Sequence, residues 1–331
     1  MYLVVDTYGA FLGKKSQRLQ VEIDGKVTEE YPFMHLDGLV ITSKGVSLST
    51  DLLSALIGNG IMTYITDYRG EPVALISSPA LHATVKTRRK QLLAIYDSHS
   101  TEIAKSIVRG KIKNQAYLLK YFSKYRRGEK KNTLIDLAEK ITSRLGELKK
   151  IPNLPMEETR ETLLNIEAIA GKYYWQGVNV ILKDRFQRRE HRGSKDPVNS
   201  SLNYGYGIIY GRVWQAVILA GLEPFAGILH TDRSGRPSMV LDLIEEFRQF
   251  TVDRPVISIF SRGREIKIDK KGLLSKESRR LVADEVIKRL ETPHSFKGKK
   301  HTLSAIIQIQ ARNLATAIRE RKDYKAFTGR W

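Results

Sequence analysis

The chain has 331 residues, 41% of them hydrophobic, ample for a packed core in one large domain or in two unequal ones. Its 56 Lys and Arg outnumber 36 Asp and Glu, and a formal charge of +20 calls for a polyanionic partner, nucleic acid before an anionic membrane surface. The absence of cysteine excludes disulfides, zinc–thiolate sites and thiol nucleophiles. No apolar run approaches the ~20 residues that span a bilayer, and MYLVVDTYG lacks the parts of a signal peptide, so a soluble, cytoplasmic protein without a membrane partner is expected.

Residues 1–76 read mostly as strand. Leu19, Val21 and Ile23 alternate with Gln20, Glu22 and Asp24, and Asp24-Gly25 predicts a hairpin turn before a strand over Lys26–Tyr31. Short strands are predicted over Gly38–Thr42, Ile61–Thr66 and Val73–Ile76. Ser49 or Thr50 can cap a short helix through Ile57, closed by Gly58-Asn59-Gly60. Few groups here suit catalysis, so the expectation is a small β domain used for packing or dimerisation.

From Ser78-Pro79 onward the apolar spacing turns helical, over Leu81–Ser98, Thr101–Tyr125, Asn132–Lys149, Glu157–Phe186, Pro197–Ala220, Ser234–Phe250, Ser275–Leu290 and Leu303–Arg321. One strand-like interruption, Val256–Phe260 followed by Glu265–Ile268, predicts a hairpin around Ser261-Arg262-Gly263. The fold class is therefore α+β: a small β domain over residues 1–76, then a larger, mostly helical domain over 77–331 that carries the chemistry.

Basic residues cluster at Arg88-Arg89-Lys90, Lys124–Lys131, Arg185–Arg192 and Lys297–His301, at helix ends or in loops. Singly each is an ordinary solvated face; together they suit a phosphate backbone. Tyr173, Tyr174, Trp175, Tyr204, Tyr206 and Tyr210 can stack on unpaired bases, although aromatics at such spacing are usually core.

Several chemistries lack their signatures. There is no GxxxxGK[ST] and no HExxH, and Gly205, Gly207 and Gly211 do not follow a strand as a dinucleotide fingerprint requires. A nucleophilic serine with a histidine partner has no local signature either, and Glu167 is the residue that most needs explaining. Glu167 has Leu163, Leu164, Ala170, Gly171 and Tyr174 as its helical neighbours, so it sits on an apolar face. Burying it alone would cost several kcal/mol, so it needs a cation, a metal or a donor, and Gly171 leaves room for one. A structural pair with Arg or Lys is the plain alternative. In the stretch Gly221–Phe250, His230 precedes a helix on which Asp242, Glu245 and Arg248 succeed one another at i, i+3 and i+6. The loop should bring His230 back over that helix. Each residue alone reads as core or solvated face; two carboxylates with one imidazole make a hard site suited to Mg²⁺ or Mn²⁺.

The runs Asp196-Pro197-Val198-Asn199, Leu202-Asn203-Tyr204-Gly205-Tyr206, Ile209-Tyr210-Gly211, Gly221-Leu222-Glu223-Pro224 with Gly227 and His230, and Leu241-Asp242-Leu243-Ile244-Glu245 with Phe247-Arg248 closely resemble the CRISPR-associated endonuclease and integrase of spacer acquisition, the universal first Cas protein of the adaptation complex. The resemblance is dense over about residues 160–255 and extends to Tyr324-Lys325-Ala326-Phe327. It implies a β domain followed by a helical catalytic domain. It also implies metal ligands at Glu167, His230 and Glu245, with Asp242 beside them. Tyr210 matches a family position that contacts DNA, and Arg248 and Arg236 match basic positions near the scissile phosphate. The implied reaction is metal-dependent phosphodiester transfer that inserts short DNA fragments into a CRISPR array, part of prokaryotic antiviral defence. The implied partners are duplex or branched DNA or DNA with single-stranded ends, a second copy in a homodimer, and the small ferredoxin-like second Cas protein.

The residues by themselves leave two other readings open. One is a non-catalytic basic DNA-binding scaffold in which Glu167 merely pairs with a cation; the other is a small-molecule phosphoesterase, whose activity would survive high salt. The richness in Lys, Arg and Glu without cysteine hints at a thermophilic source.

Overall fold

A computed structural model of the chain describes residues 2–66, 72–76, 78, 85–190, 194–270 and 273–329. The chain divides into two compact units, Met1–His82 and Ala83–Trp331.

The first unit holds strands β1 (Tyr2–Val5), β2 (Phe11–Lys15), β3 (Arg18–Ile23), β4 (Lys26–Pro32), β5 (Gly38–Ile41), β6 (Ser47–Leu48), β7 (Met62–Thr66) and β8 (Pro72–Ile76), with helix α1 (Thr50–Gly58). They form two sheets, ordered β1-β5-β7-β8 and β4-β3-β2-β6. In the first, β1, β5 and β7 run parallel and β8 closes the edge antiparallel. The Asp24-Gly25 turn forms as its sequence predicts, with both residues at positive φ, 51° and 73°, the geometry that matches strand twist in a two-residue hairpin. Ser49 caps α1 by accepting from Leu52 N. Leu3, Leu12, Leu19, Phe33, Leu39, Leu52 and Leu56 fill the core of this unit.

The second unit is helical. Its elements are α2 (Val85–Leu93), α3 (Ser98–Ser123), α4 (Gly128–Lys150), α5 (Met156–Leu182), α6 (Pro197–Leu219), α7 (Ser238–Ile244), α8 (Arg254–Ser261), α9 (Lys276–Glu291), the hairpin strands β9 (Pro293–Phe296) and β10 (Lys299–Thr302), and α10 (Leu303–Glu320). A single core runs from Ile103 on α3 to Phe327 beyond α10.

The structure corrects the sequence reading in four places. The helix expected over Leu81–Ser98 starts in residues outside those described; from Val85 it ends at Leu93, because Asp97 begins a new helix by accepting from His99 N at 3.0 Å. The helix expected from Ser234 starts at Ser238, because Gly235 at φ 72° closes a tight turn in which Arg236 N donates to Arg233 O. The strand expected over Val256–Phe260 is instead α8. The chain after α7 passes through a widened turn, Gln249–Asp253, and continues helically with Pro255, which has no N–H to give, in the first turn. Val256, Ile257, Ile259 and Phe260 are all buried, and burial on two faces mimics strand alternation in an apolar run. Finally, part of the basic cluster Lys297–His301 lies on the β9–β10 hairpin, turned by Lys297 and Gly298 at positive φ.

Candidate active site

Five elements meet at one pocket. Helix α5 brings Glu167, the loop after α6 brings His230, α7 brings Asp242, the turn beyond it brings Glu245 and Arg248, and α3 brings Lys111.

The loop is built tightly. Gly221, at φ 76°, ends α6 while Gly221 N and Leu222 N return to Ile218 O and Val217 O. The buried side chain of Gln91, on α2, then holds the turn from both sides: its Nε2 donates to Glu223 O and Ala226 O, and its Oε1 accepts from Glu223 N. At Gly227 a Cβ would stand 2.5 Å from Ser238 Cβ and 2.6 Å from His230 O, so only glycine lets the loop lie on the start of α7.

Asp242 fixes the far end of this loop. Fully buried, it accepts three main-chain N–H groups, Ile228 at 2.6 Å and Leu229 at 3.0 Å on Oδ2 and His230 at 2.9 Å on Oδ1. The same Oδ1 accepts the His230 Nδ1–H at 2.6 Å. A carboxylate can only accept, so this bond puts the ring proton on Nδ1, and in the neutral ring Nε2 keeps its lone pair. Burial pulls His230 down, but the hydrogen bond and charge of Asp242, with Glu245 and Glu167 behind it, hold it above its ordinary 6.5.

Opposite stand the two glutamates. Lys111 Nζ is paired with Glu167 Oε1 and lies 2.5 Å from Glu245 Oε2, while Arg248 Nε donates to Glu245 Oε1 at 3.1 Å. Burial opposes ionisation of Glu245, yet the charges of Arg248, Lys111 and His230 overcome it and set the carboxyl at about 2. Burial works against Lys111 too, and Glu167 and Glu245 more than offset it, so its ammonium is held above the ordinary lysine range. The expected cation beside Glu167 is thus a lysine, reaching across from α3. The sequence reading missed it, although the signal was the one that singled out Glu167: Lys111 shares a helix face with Ile107, Val108, Asn114 and Leu118, all buried.

Arg248 continues inward. Its guanidinium lies 4.7 Å from the centre of the Tyr206 ring, with Arg189 5.4 Å from the same ring. Tyr206 and Tyr174 both donate to buried Asp253, Tyr174 at 2.6 Å. Tyr174, Tyr204 and Tyr206 are accordingly core residues rather than free stacking platforms. Arg189, from one of the basic clusters expected to suit a phosphate backbone, bonds Asn199 and Asn203 at 2.9 and 2.6 Å. The Asp196–Asn199 run caps α6: Asp196 Oδ1 accepts from Asn199 N, and Asn199 Nδ2 returns to Arg188 O.

Glu167, Lys111, Glu245 and Arg248 therefore form one chain of ion pairs, and the His230–Asp242 pair stands within electrostatic reach of both glutamates. Tyr210 and Arg236 belong to other elements. Tyr210 lies on α6, its ring 5.6 Å from that of Trp214, which in turn meets Phe225 edge-on at 5.7 Å. Arg236 is in the turn before α7.

Among the described residues no three His, Cys, Asp or Glu side chains converge closely enough to hold a metal ion as they stand. The ammonium of Lys111 lies between the two glutamates. The donor set nonetheless fits a hard divalent cation: two carboxylates, one of them held ionised, and an imidazole whose second nitrogen is already oriented. Glu245 Oε2 is buried, with the Lys111 ammonium 2.5 Å away as its close partner.

Compared with known proteins, residues 3–288 match the family described as CRISPR associated protein Cas1. The CRISPR-associated endonuclease Cas1 1 of Archaeoglobus fulgidus is 33% identical over 348 aligned positions that span the whole of both chains. In fold, the chain resembles a casposase bound to its integration product, with a TM-score of 0.81 at 24% identity over 99% of this chain and 93% of that one. It also resembles a chain of a Cas6-RT-Cas1–Cas2 complex, with a TM-score of 0.78 at 23% identity over 99% of this chain and 36% of that one.

Proposed function

This chain belongs to the Cas1 family, and from that premise we propose that it is a metal-dependent DNA endonuclease and integrase that joins short DNA fragments into a CRISPR array by phosphodiester transfer. The observation that carries the reading is that Glu167 and Glu245 share one ammonium while an Asp242-oriented His230 stands within electrostatic reach of both. Glu167, Glu245 and His230 Nε2 are the groups that would hold Mg²⁺ or Mn²⁺. When bound, such an ion supplies Lewis-acid stabilisation of a phosphoryl oxygen and of the attacking hydroxyl.

The protein's own groups do the positioning. Asp242 keeps the imidazole turned with its lone pair outward. Arg248, aligned by Glu245 and by the face of Tyr206, offsets negative charge that develops on the phosphorus oxygens. Asp253 holds Tyr206, and so sets the floor on which Arg248 rests. Water as the attacking group gives cleavage, whereas a DNA 3′-hydroxyl gives joining. Tyr210 and Arg236 are proposed DNA contacts, and the helical residues 77–331 the catalytic domain. Residues 1–76 are the proposed packing and dimer surface, with the small ferredoxin-like second Cas protein as partner. Among the described residues no helix is long and apolar enough to cross a membrane.

One observation favours the scaffold reading, in which Glu167 serves only as the partner of Lys111. The test is transfer of a labelled short duplex into a supercoiled plasmid carrying a CRISPR repeat, with Mn²⁺ or EDTA, for wild type, His230→Ala and Glu167→Ala, with and without the small partner. Metal-dependent joining that both variants lose while still binding DNA supports the integrase. A folded, DNA-binding wild type that neither joins nor cuts with any metal or partner overturns it.

A further inference from the structure

We infer that Lys111 and the divalent cation are exchangeable occupants of one place, and that the exchange turns Lys111 into a phosphate-positioning residue. The inference rests on the metal-dependent reading and names the device by which metal and DNA are coupled at that site.

Geometry carries it. The ammonium of Lys111 lies between Glu167 Oε1 and Glu245 Oε2, on a side chain only 15% exposed. A metal ion bound to the same two oxygens would stand roughly 2.1 Å from each, inside the volume that the ammonium fills. Both cannot be there together. Lysine suits the exchange because its charge is compact and rides on a flexible four-carbon stem, so it can leave without moving α3.

Charge gives the consequence. At present the two carboxylates are matched by two cations, Lys111 and Arg248. Once a divalent ion takes the carboxylates, Lys111 remains tethered at the rim and the pocket carries surplus positive charge. A phosphodiester is the anion this surplus suits. Metal loading thus prepares the pocket for DNA, and without metal the carboxylates are already neutralised and offer a DNA phosphate little.

The test uses MnCl₂ and MgCl₂ as probes, with the full chain and no DNA. Calorimetric titration with Mn²⁺ should show affinity rising about tenfold or more in Lys111→Met and Lys111→Gln, because the ion no longer displaces an ammonium. Removal of a nearby charge alone would also raise affinity, so a second readout is needed. Reductive methylation of Lys111 in the wild type, followed by mass spectrometry, should run several-fold faster in MgCl₂ than in EDTA. Circular dichroism establishes that the variants are folded, with the glutamine variant as the conservative substitute should methionine disturb packing. Both readouts must move. If Mn²⁺ binds but Lys111 labelling is unchanged by metal, or if the variants bind no tighter, exchange is overturned and the metal site survives. If folded wild type and variants all fail to bind Mn²⁺, the metal-dependent reading falls and takes the exchange with it.

Discussion

Glu245 and Glu246 are neighbours in the chain, both buried, and they behave in opposite ways. Glu245 faces Lys111 and Arg248 and is held at about 2. Glu246 faces the segment after α10, where Tyr324 donates to its Oε1 and Phe327 N and Gln310 Nε2 donate to its Oε2 at 2.6 and 2.9 Å. Burial there outweighs the three donors and pushes it up to about 7. Asn114 reinforces the clamp by donating to Glu246 O and Phe327 O and accepting from Gly329 N. Cations turn one carboxylate into a charged pocket wall, and neutral donors turn the next into a structural peg. What distinguishes them is the partner each meets from a remote helix or segment.

Substitution of both should separate chemistry from stability. Glu245→Gln should lower strand transfer by at least about 10³-fold, as loss of a group that acts on the transition state does, with DNA binding retained. Glu246→Gln should leave transfer within a few-fold, because an amide serves nearly as well where the acid is often neutral. If Glu246→Gln is as inactive as Glu245→Gln, the contrast is broken. Glu246→Ala should then lower stability by about 3 kcal/mol in a urea titration, since it leaves three buried donors without an acceptor.

Asp242→Ala should weaken Mn²⁺ binding by about 10–100-fold in calorimetry, the usual cost of losing the group that orients a ligating imidazole. Loss on that scale with Glu246 variants binding normally would sharpen the division. The pair also predicts opposite pH effects on stability, followed in EDTA. Glu245, depressed in the fold from 4.5 to about 2, contributes stability that is present above 4.5 and lost as pH falls through that window. Glu246, raised to about 7, is protonated in the fold between 4.5 and 7 while the unfolded chain is not, so stability falls as pH rises through that window, by about 3 kcal/mol. Glu246→Gln should abolish the second slope and spare the first.

Much of this was legible in the sequence where a local rule operates. The Asp24-Gly25 turn, the Ser49 cap, most helix spans and the grouping of His230 with Asp242 and Glu245 come from turn chemistry, periodicity and motif spacing, whereas Glu167 joined that group only through the family resemblance. The rest depends on contacts between distant segments. Lys111 stands 56 positions before Glu167, and only its place on a buried helix face marks it. Val256–Phe260 was misread because β-branched residues buried on two sides look alike in a strand and in a core helix. The buried pegs, Glu246 and Asp253, had no sequence mark at all, since their partners lie as far away as Phe327 and Tyr174.

The three amides gathered by Asp242 have an entropic meaning as well. Fixing the backbone of Ile228, Leu229 and His230 costs on the order of 3–6 kcal/mol of conformational freedom. In this fold that cost falls at folding, so an ion bound at the proposed site would meet an imidazole already immobilised and lose no affinity to ordering a loop. Those amides should exchange with deuterium only as the whole domain opens, which makes the histidine loop one of the most rigid irregular segments of the chain.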